Sequence, residues 1–304
     1  MTNTAPAPKK KKRLSMHQKQ SLAGWVFLTP ATLLIFIMSF YPMFSALLTS
    51  FKRGKPTALV WSEPLWRNYQ FMLKDKVFLQ SVTNTLTYLV IQVPIMLILA
   101  VIFASLLNNR DLKFRGLFRT CIFLPCATGL VAYSMIFRTL FTYDGMVNNI
   151  LLKFGLISEA INWLNDPVYA KAVIIIGLIW RWTGYNMVFY LSAMQSIDYS
   201  IYEAARIDGA NSYQQLMRIT IPLLRPIILV TAIMSTNGTL QLFDESVNLT
   251  RGGPGNMTIT MSHYIYNTMF TKNPNFGYAA AMSFVILIMV AVLAAIQMKV
   301  GDKR

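Results

Sequence analysis

The chain is poor in the residues that most enzymes use for chemistry. Two cysteines occur, Cys121 and Cys126, both inside one apolar run. That count allows neither a disulfide framework nor a four-ligand zinc site, so both read as small buried hydrophobes. Histidine is as sparse: His17 falls in a basic tail and His263 near a connection between apolar runs, which leaves too little for a metal centre or a Ser-His-Asp triad. Acidic residues number 12 against 28 Lys and Arg and are scattered, unlike the clustered acid–base groups of a membrane enzyme. No G-x-x-x-x-G-K-[ST] sequence is present to cradle ATP phosphates. Polar surface is the largest deficit: 304 residues at 55% hydrophobic and 13% charged cannot cover a soluble globule, so lipid must serve as the solvent.

The formal charge of +16 does not point to nucleic acid, because the basic residues sit at the ends of apolar runs and form no stripe with interleaved aromatics. An apolar run of at least about 18 residues spans a membrane, since the hydrocarbon is roughly 30 Å thick and a helix rises about 1.5 Å per residue. Six runs qualify: 22–50, 81–107, 117–137, 170–192, 221–243 and 278–298. The first follows a basic run, Lys9 to Arg13, but it is too long for a signal peptide and no small-x-small site closes it. The fold class expected is an all-α integral membrane protein, with a disordered basic tail over 1–21 and a membrane domain over 22–304.

Orientation follows from Lys and Arg, which resist translocation. The N-terminal tail, the connection with Arg110, Lys113, Arg115 and Arg119, the one with Arg206 and Arg218, and the C-terminal Lys299, Lys303 and Arg304 agree on one side. Both termini are therefore expected in the cytoplasm. Lys52, Arg53 and Lys55 dissent. The outer connections carry Trp61, Trp66, Trp163 and several Pro and Gly, a mixture of headgroup-depth aromatics and turn formers.

The segment 197–226, IDYSIYEAARIDGANSYQQLMRITIPLLRP, is amphipathic and lies between the fourth and fifth apolar runs. Ser200 with Glu203 has capping-box spacing and predicts a helix starting at Ser200 and carrying Tyr202, Ala205 and Ile207. Gly209 breaks it, and Ser212 with Gln215 predicts a second start, running to Pro222 and Pro226 at the entry of the fifth run.

Glu203-Ala204-Ala205, then Gly209, Ile219 and Ile221-Pro222, resemble the EAA loop of ABC-importer permeases, with Ile221 where the family usually has Leu. Leu28-Thr29-Pro30, Tyr41-Pro42, Asn68-Tyr69, the run Phe114 to Arg119, Phe123-Leu124-Pro125, and Gly252-Gly253-Pro254-Gly255 with Thr258 extend the resemblance to maltose-transporter-type permeases. Those take up sugars, oligosaccharides and glycerol phosphates. The resemblance implies a coupling helix over about 198–222, with Glu203, Ala204, Ala205, Asp208, Gly209 and Ala210 seated against a nucleotide-binding subunit. It also implies the partners: two ATP-binding subunits that use ATP and Mg, a second and different permease forming a heterodimeric pore, an extracytoplasmic solute-binding protein and membrane lipid. This chain itself is expected to bind no cofactor or nucleic acid, to be no enzyme, and to lie in the bacterial inner membrane.

Polar residues inside apolar helices are costly and tend to face a cavity, a neighbouring helix or a solute path. Trp182, Tyr185 and Asn186, near Trp180, and Asn237, Thr239, Gln241 and Asp244 match the part of sugar permeases that lines the solute site. Packing of the tryptophans and amide bonds between helices are the competing reading for each. Arg138, Arg181, Asp244 and Glu245 are expected near helix ends. A secondary transporter or channel for a small polar solute suits the composition equally, but it leaves the 197–226 segment unexplained and would favour two similarly broken halves, which the sequence lacks. A purely structural membrane subunit gives no reason for Asn237, Gln241 and Asp244.

Overall fold

The computed structural model describes residues 15–109, 112–270 and 274–301. The tail expected over 1–21 is thus described only from Ser15, with helix from Met16, and the orientation votes of Lys9 to Arg13, Arg110, Lys303 and Arg304 lie outside the described residues.

Backbone N–H and C=O groups in hydrocarbon must bond within their own segment, and the described residues are accordingly helical almost throughout. Helix α1 (Met16–Ile35) passes through a π-helical stretch, Phe36–Phe40, into α2 (Tyr41–Ser50). A two-stranded antiparallel hairpin of β1 (Lys52–Arg53) and β2 (Val60–Trp61) follows, with Lys52 opposite Trp61, and then α3 (Arg67–Met72). Next come α4 (Lys76–Asn108), α5 (Arg115–Ala127), α6 (Leu130–Leu140), α7 (Met146–Lys153) and α8 (Pro167–Gln195). The chain continues with α9 (Tyr199–Ile207), α10 (Ser212–Gln215), a π-helical stretch at Leu216–Thr220 and α11 (Ile221–Leu240). A π-helical stretch at Ser246–Thr250 precedes α12 (Met261–Phe270) and α13 (Phe276–Gly301).

Five helical stretches are long and apolar enough to cross a membrane, or six if the bent pair α5–α6 is one span. The third expected span is therefore not straight: α5 and α6 meet at 99°. Thr128 and Gly129 are extended between them, and Pro125 in the last turn of α5 has no N–H to carry the helix on. The fifth is longer than expected, continuous from Ser212 to Leu240, because Pro222 falls in the first turn of α11 where its missing N–H costs nothing.

The core lies between α4 and α8, with α11 and α13 closing it. Ala100 and Ala104 of α4 face Met187, Tyr190, Leu191 and Met194 of α8, small residues against large, so the axes approach closely. Buried polar groups bond across helices: Tyr190 to Thr231 at 2.6 Å, Thr239 Oγ1 donating to Gln92 Oε1 at 3.0 Å, and Gln297 donating to Thr236 at 2.7 Å. Asn84 of α4 donates to the carbonyls of Ile259 and Asn256, pinning the glycine-rich loop before α12 to the bundle. In contrast, α1 is exposed all round from Gln20 to Ile35.

Asp75 ties one end of the bundle together. One carboxylate oxygen accepts from the backbone of Val77 and Phe78 and caps α4; the other accepts from the hydroxyls of Tyr264 at 2.6 Å and Tyr278 at 2.7 Å. Burial first, and then the hydrogen bond to Asp75, push the Tyr264 phenol above its ordinary value of 10.0. A raised folded-state value means that this contribution is complete below the unfolded value and is lost as pH rises through the folded one. Asp75→Ala strands all four donors, and the expected cost is about 3 kcal/mol, read as a lower melting temperature of the detergent-solubilised protein. An unchanged melting temperature would show that the three helices are held otherwise.

Candidate functional site

The segment between α8 and α11 folds into an elbow. Asp198, and not Ser200, caps α9: its carboxylate accepts from the Ser200 N–H at 3.0 Å, which holds the carboxyl below its ordinary range. Both residues are good caps, and the earlier one starts the helix one residue sooner. At the other end, Ala210 N–H bonds to the Ala205 carbonyl at 2.9 Å and Gly209 N–H to that of Arg206 at 3.1 Å, the two bonds of a Schellman motif. That motif requires the left-handed φ of +83° at Gly209, where a side chain is strained. The second capping box is made by Asn211 and Gln214, one residue ahead of the expected Ser212 and Gln215, with reciprocal bonds of 2.8 and 2.9 Å. Across the elbow, Tyr202 bonds to Thr220 at 3.0 Å.

This scaffold turns one face outward. Of the expected coupling residues, Glu203, Ala204, Asp208 and Gly209 are exposed, while Ala205 and Ala210 are half-buried beneath them. Ile207 is 86% exposed on the same short helix, an apolar side chain that the described residues leave uncovered. Behind the elbow a cavity of about 1140 Å³ opens toward the ends of α4 and α5, lined by Tyr199, Tyr202, Gln215, Leu106 and Arg115 among others.

The expected path residues divide. Trp182 and Tyr185 are half-buried on α8 and, with Phe189, form a ladder of edge-to-face rings with centroids 5.7 and 5.0 Å apart. Asn186 is buried and donates to the Trp182 carbonyl within α8 and to Met96 Sδ of α4 at 3.6 Å, and Thr239 is buried against Gln92, so both make bonds across helices. Asn237 and Gln241 are exposed and hydrogen-bonded to each other, and Asp244 is half-buried just beyond α11.

Arg181 sits away from the helix ends, against expectation, and Glu245, at a helix end as expected, is buried. Arg181 lies at the middle of α8 and is only 6% exposed; Glu245, between α11 and the following π-helical stretch, is 3% exposed. Arg138 does lie in the last turn of α6. Gln92, Tyr133 and Ser134 are further buried polar groups of the interior that the reading passed over. The available signal was Arg181 itself, a lone cation inside an apolar run long enough to span the membrane. Among the described residues, no group of three or more His, Cys, Asp or Glu is placed to hold a metal ion.

Residues 73–302 match the model of a family described as "binding-protein-dependent transport system inner membrane component". The chain is 50% identical over 294 residues to a lactose transport system permease protein of Rhizobium radiobacter, covering 96% of this chain and 98% of that one. It is 32% identical to an arabinooligosaccharides transport system permease protein of Halalkalibacterium halodurans, over 95% of this chain and 91% of that one. Its fold matches a chain in the crystal structure of a bacterial ABC transporter that imports alginate, with a TM-score of 0.80 over 94% of this chain and 96% of that one at 22% identity. The exposed elbow, the polar-studded helices and these matches together place the chain in the family of binding-protein-dependent transport system inner membrane components, as a multi-pass permease subunit of the ABC-importer type and not an enzyme.

Proposed function

We propose that this chain forms one half of the pore of a bacterial inner-membrane saccharide importer, with a lactose-like disaccharide as the first candidate solute. The exposed face of Glu203, Ala204, Ile207, Asp208 and Gly209 carries this reading: it is a rigid, uncovered elbow at the basic end of a membrane bundle whose own sequence has no ATP-binding loop. In this reading two separate ATP-binding subunits, using ATP and Mg, hold the elbow in a cleft. Their closure swings this chain and a second, related permease from inward-facing to outward-facing, and a solute-binding protein then delivers sugar. The elbow end, which also bears Lys113, Arg115, Arg119, Arg218 and Lys299, faces the cytoplasm with both termini. The dissenting Lys52 and Arg53 belong to the small hairpin at the far end, where Lys52 lies 5.0 Å over the Trp61 ring.

On this reading Trp182, Tyr185, Asn237, Gln241 and Asp244 are the accessible groups for sugar, with ring faces for C–H surfaces and amide or carboxylate groups for hydroxyls. Asn186 and Thr239 support them from behind. The disaccharide assignment draws on the 50% identity to the lactose permease. The chain, purified from detergent-solubilised membranes of its source, is expected to bring down an ATPase and a second permease, and the resulting vesicles to accumulate lactose with ATP. A chain that purifies alone and carries sugar without ATP would overturn the importer reading in favour of a secondary transporter.

A further inference from the structure

The interior of the bundle holds a group of polar atoms that have no hydrogen-bond partner among the described residues. Tyr133 OH and Ser134 Oγ of α6, and Nε and Nη1 of Arg181 on α8, are buried and make no hydrogen bond. Their residues are 1%, 1% and 6% exposed. The guanidinium carbon of Arg181 stands 5.3 Å over the Tyr133 ring and 5.5 Å over the Trp182 ring. Glu245 comes from a third element: Leu242 and Leu249 on either side of it pack in one cluster with Tyr133, and the π-helical stretch that begins after it packs against both α6 and α8.

A buried cation with two idle donors is costly, and a fold keeps one where something else completes it. The neighbours in sequence show what has access. Trp182 follows Arg181 and Asp244 precedes Glu245, and both are half-buried, so the unpartnered group lies one residue behind an accessible aromatic and an accessible carboxylate. It offers donors from Arg181, acceptors from Glu245 and hydroxyls of both kinds from Tyr133 and Ser134. Beside its one cation lies one buried carboxyl group, Glu245, with Asp244 adding a second at the half-buried edge. A neutral hydroxyl can donate and accept in such surroundings. A carboxylate or phosphate on the solute would gain Arg181 only by coming up against Glu245 and Asp244.

We propose that Arg181, Glu245, Tyr133 and Ser134 form a charge-compensated hydroxyl-binding locus that admits neutral saccharides and disfavours acidic or phosphorylated ones, with Glu245 as the discriminating residue. The inference rests on the saccharide-transport reading above and narrows its solute class. Arg181 supplies the hydrogen bonds, and Glu245 prevents that cation from selecting an anion.

The test uses the complete importer complex in lipid nanodiscs, without its binding protein, so that selectivity comes from the permease alone. Dissociation constants for lactose and for lactobionate, an anionic galactoside, are measured by saturation-transfer NMR titration on wild type, Glu245→Gln, Arg181→Gln and the control Arg138→Gln. Wild type and the control are expected to bind lactose at least about tenfold more tightly than lactobionate, and Glu245→Gln to narrow that preference at least about fivefold by removing the opposing charge. Arg181→Gln should weaken lactose without improving lactobionate. If Glu245→Gln does not assemble, Asp244→Asn, half-buried at the accessible edge, should shift the preference in the same direction by about two- to threefold. A preference unchanged in the Gln and Asn variants while lactose still binds overturns the inference, makes the group purely structural, and leaves the transport reading standing. Wild-type complex that binds lactobionate but no lactose overturns the inference and the disaccharide candidate, and wild-type complex that binds neither counts against the saccharide reading itself.

Discussion

A complex carrying Glu203→Arg together with Gly209→Pro is expected to insert and fold as wild type does, yet to lose the ATPase subunits on purification and at least about 100-fold of ATP-driven sugar uptake. The two changes act on the elbow by different physics. Gly209 has a φ of +83°, which the proline ring cannot adopt, and its N–H donates to the Arg206 carbonyl, which proline cannot do. The Schellman closure of α9 therefore opens and the orientation of its exposed face is lost. Glu203 makes no hydrogen bond to the described residues, so reversing its charge leaves the fold alone and alters only what an approaching surface meets. Gly209→Ala gives the graded control: nothing lies within 4 Å of the added methyl, so its cost is the left-handed backbone alone, about 1 kcal/mol. Partial loss is expected there, with assembly retained. Normal uptake by the double variant, measured in vesicles alongside the composition of the purified complex, would remove the coupling role from this segment.

The helices were legible because a membrane demands long uncharged runs: four of six appear within about five residues of where hydropathy put them, the fifth begins nine residues early and the third is bent. Their ends were less so. Helix α4 begins at Lys76, five residues before the apolar run, because Asp75 caps it and its polar first turn lies outside any apolar window. Hydropathy also carries no direction, so the right-angled turn between α5 and α6 was hidden inside one apolar run, although Pro125 and Gly129 were there to be read. In the elbow the residue types were right and the register was off by one or two, since Asp198, Ser200, Asn211 and Ser212 are all competent caps and only the backbone selects among them. Arg181 was misplaced for an energetic reason: charge inside an apolar run is cheapest near the end of a helix. At its midpoint position the guanidinium lies over the ring of Tyr133, a residue 48 positions away in sequence, a contact that no apolar window shows.

A large stability effect is expected from Gly184→Ala, a change of one methyl group in the interior. Gly184 sits where α8 crosses α5, and a methyl added there meets the carbonyl carbon and oxygen of Ile122 and the Cα of Phe123. All three are backbone atoms, so no side chain can swing aside and the two helices must separate. Overpacking of this kind costs about 3 kcal/mol or more, and in this place it also moves Trp182 and Tyr185, which ride on the same turns of α8. Melting of the purified complex should fall by several degrees and uptake should fall with it. Gly24→Ala is the matching control, because nothing lies within 4 Å of a methyl there and Ala is the better helix former. The same chemical change should thus be neutral or mildly stabilising in α1 and strongly destabilising in α8. Equal melting of the two variants would mean that α5 and α8 do not touch backbone to backbone, and the aromatic ladder of Trp182, Tyr185 and Phe189 would then have lost the support that fixes its place on α8.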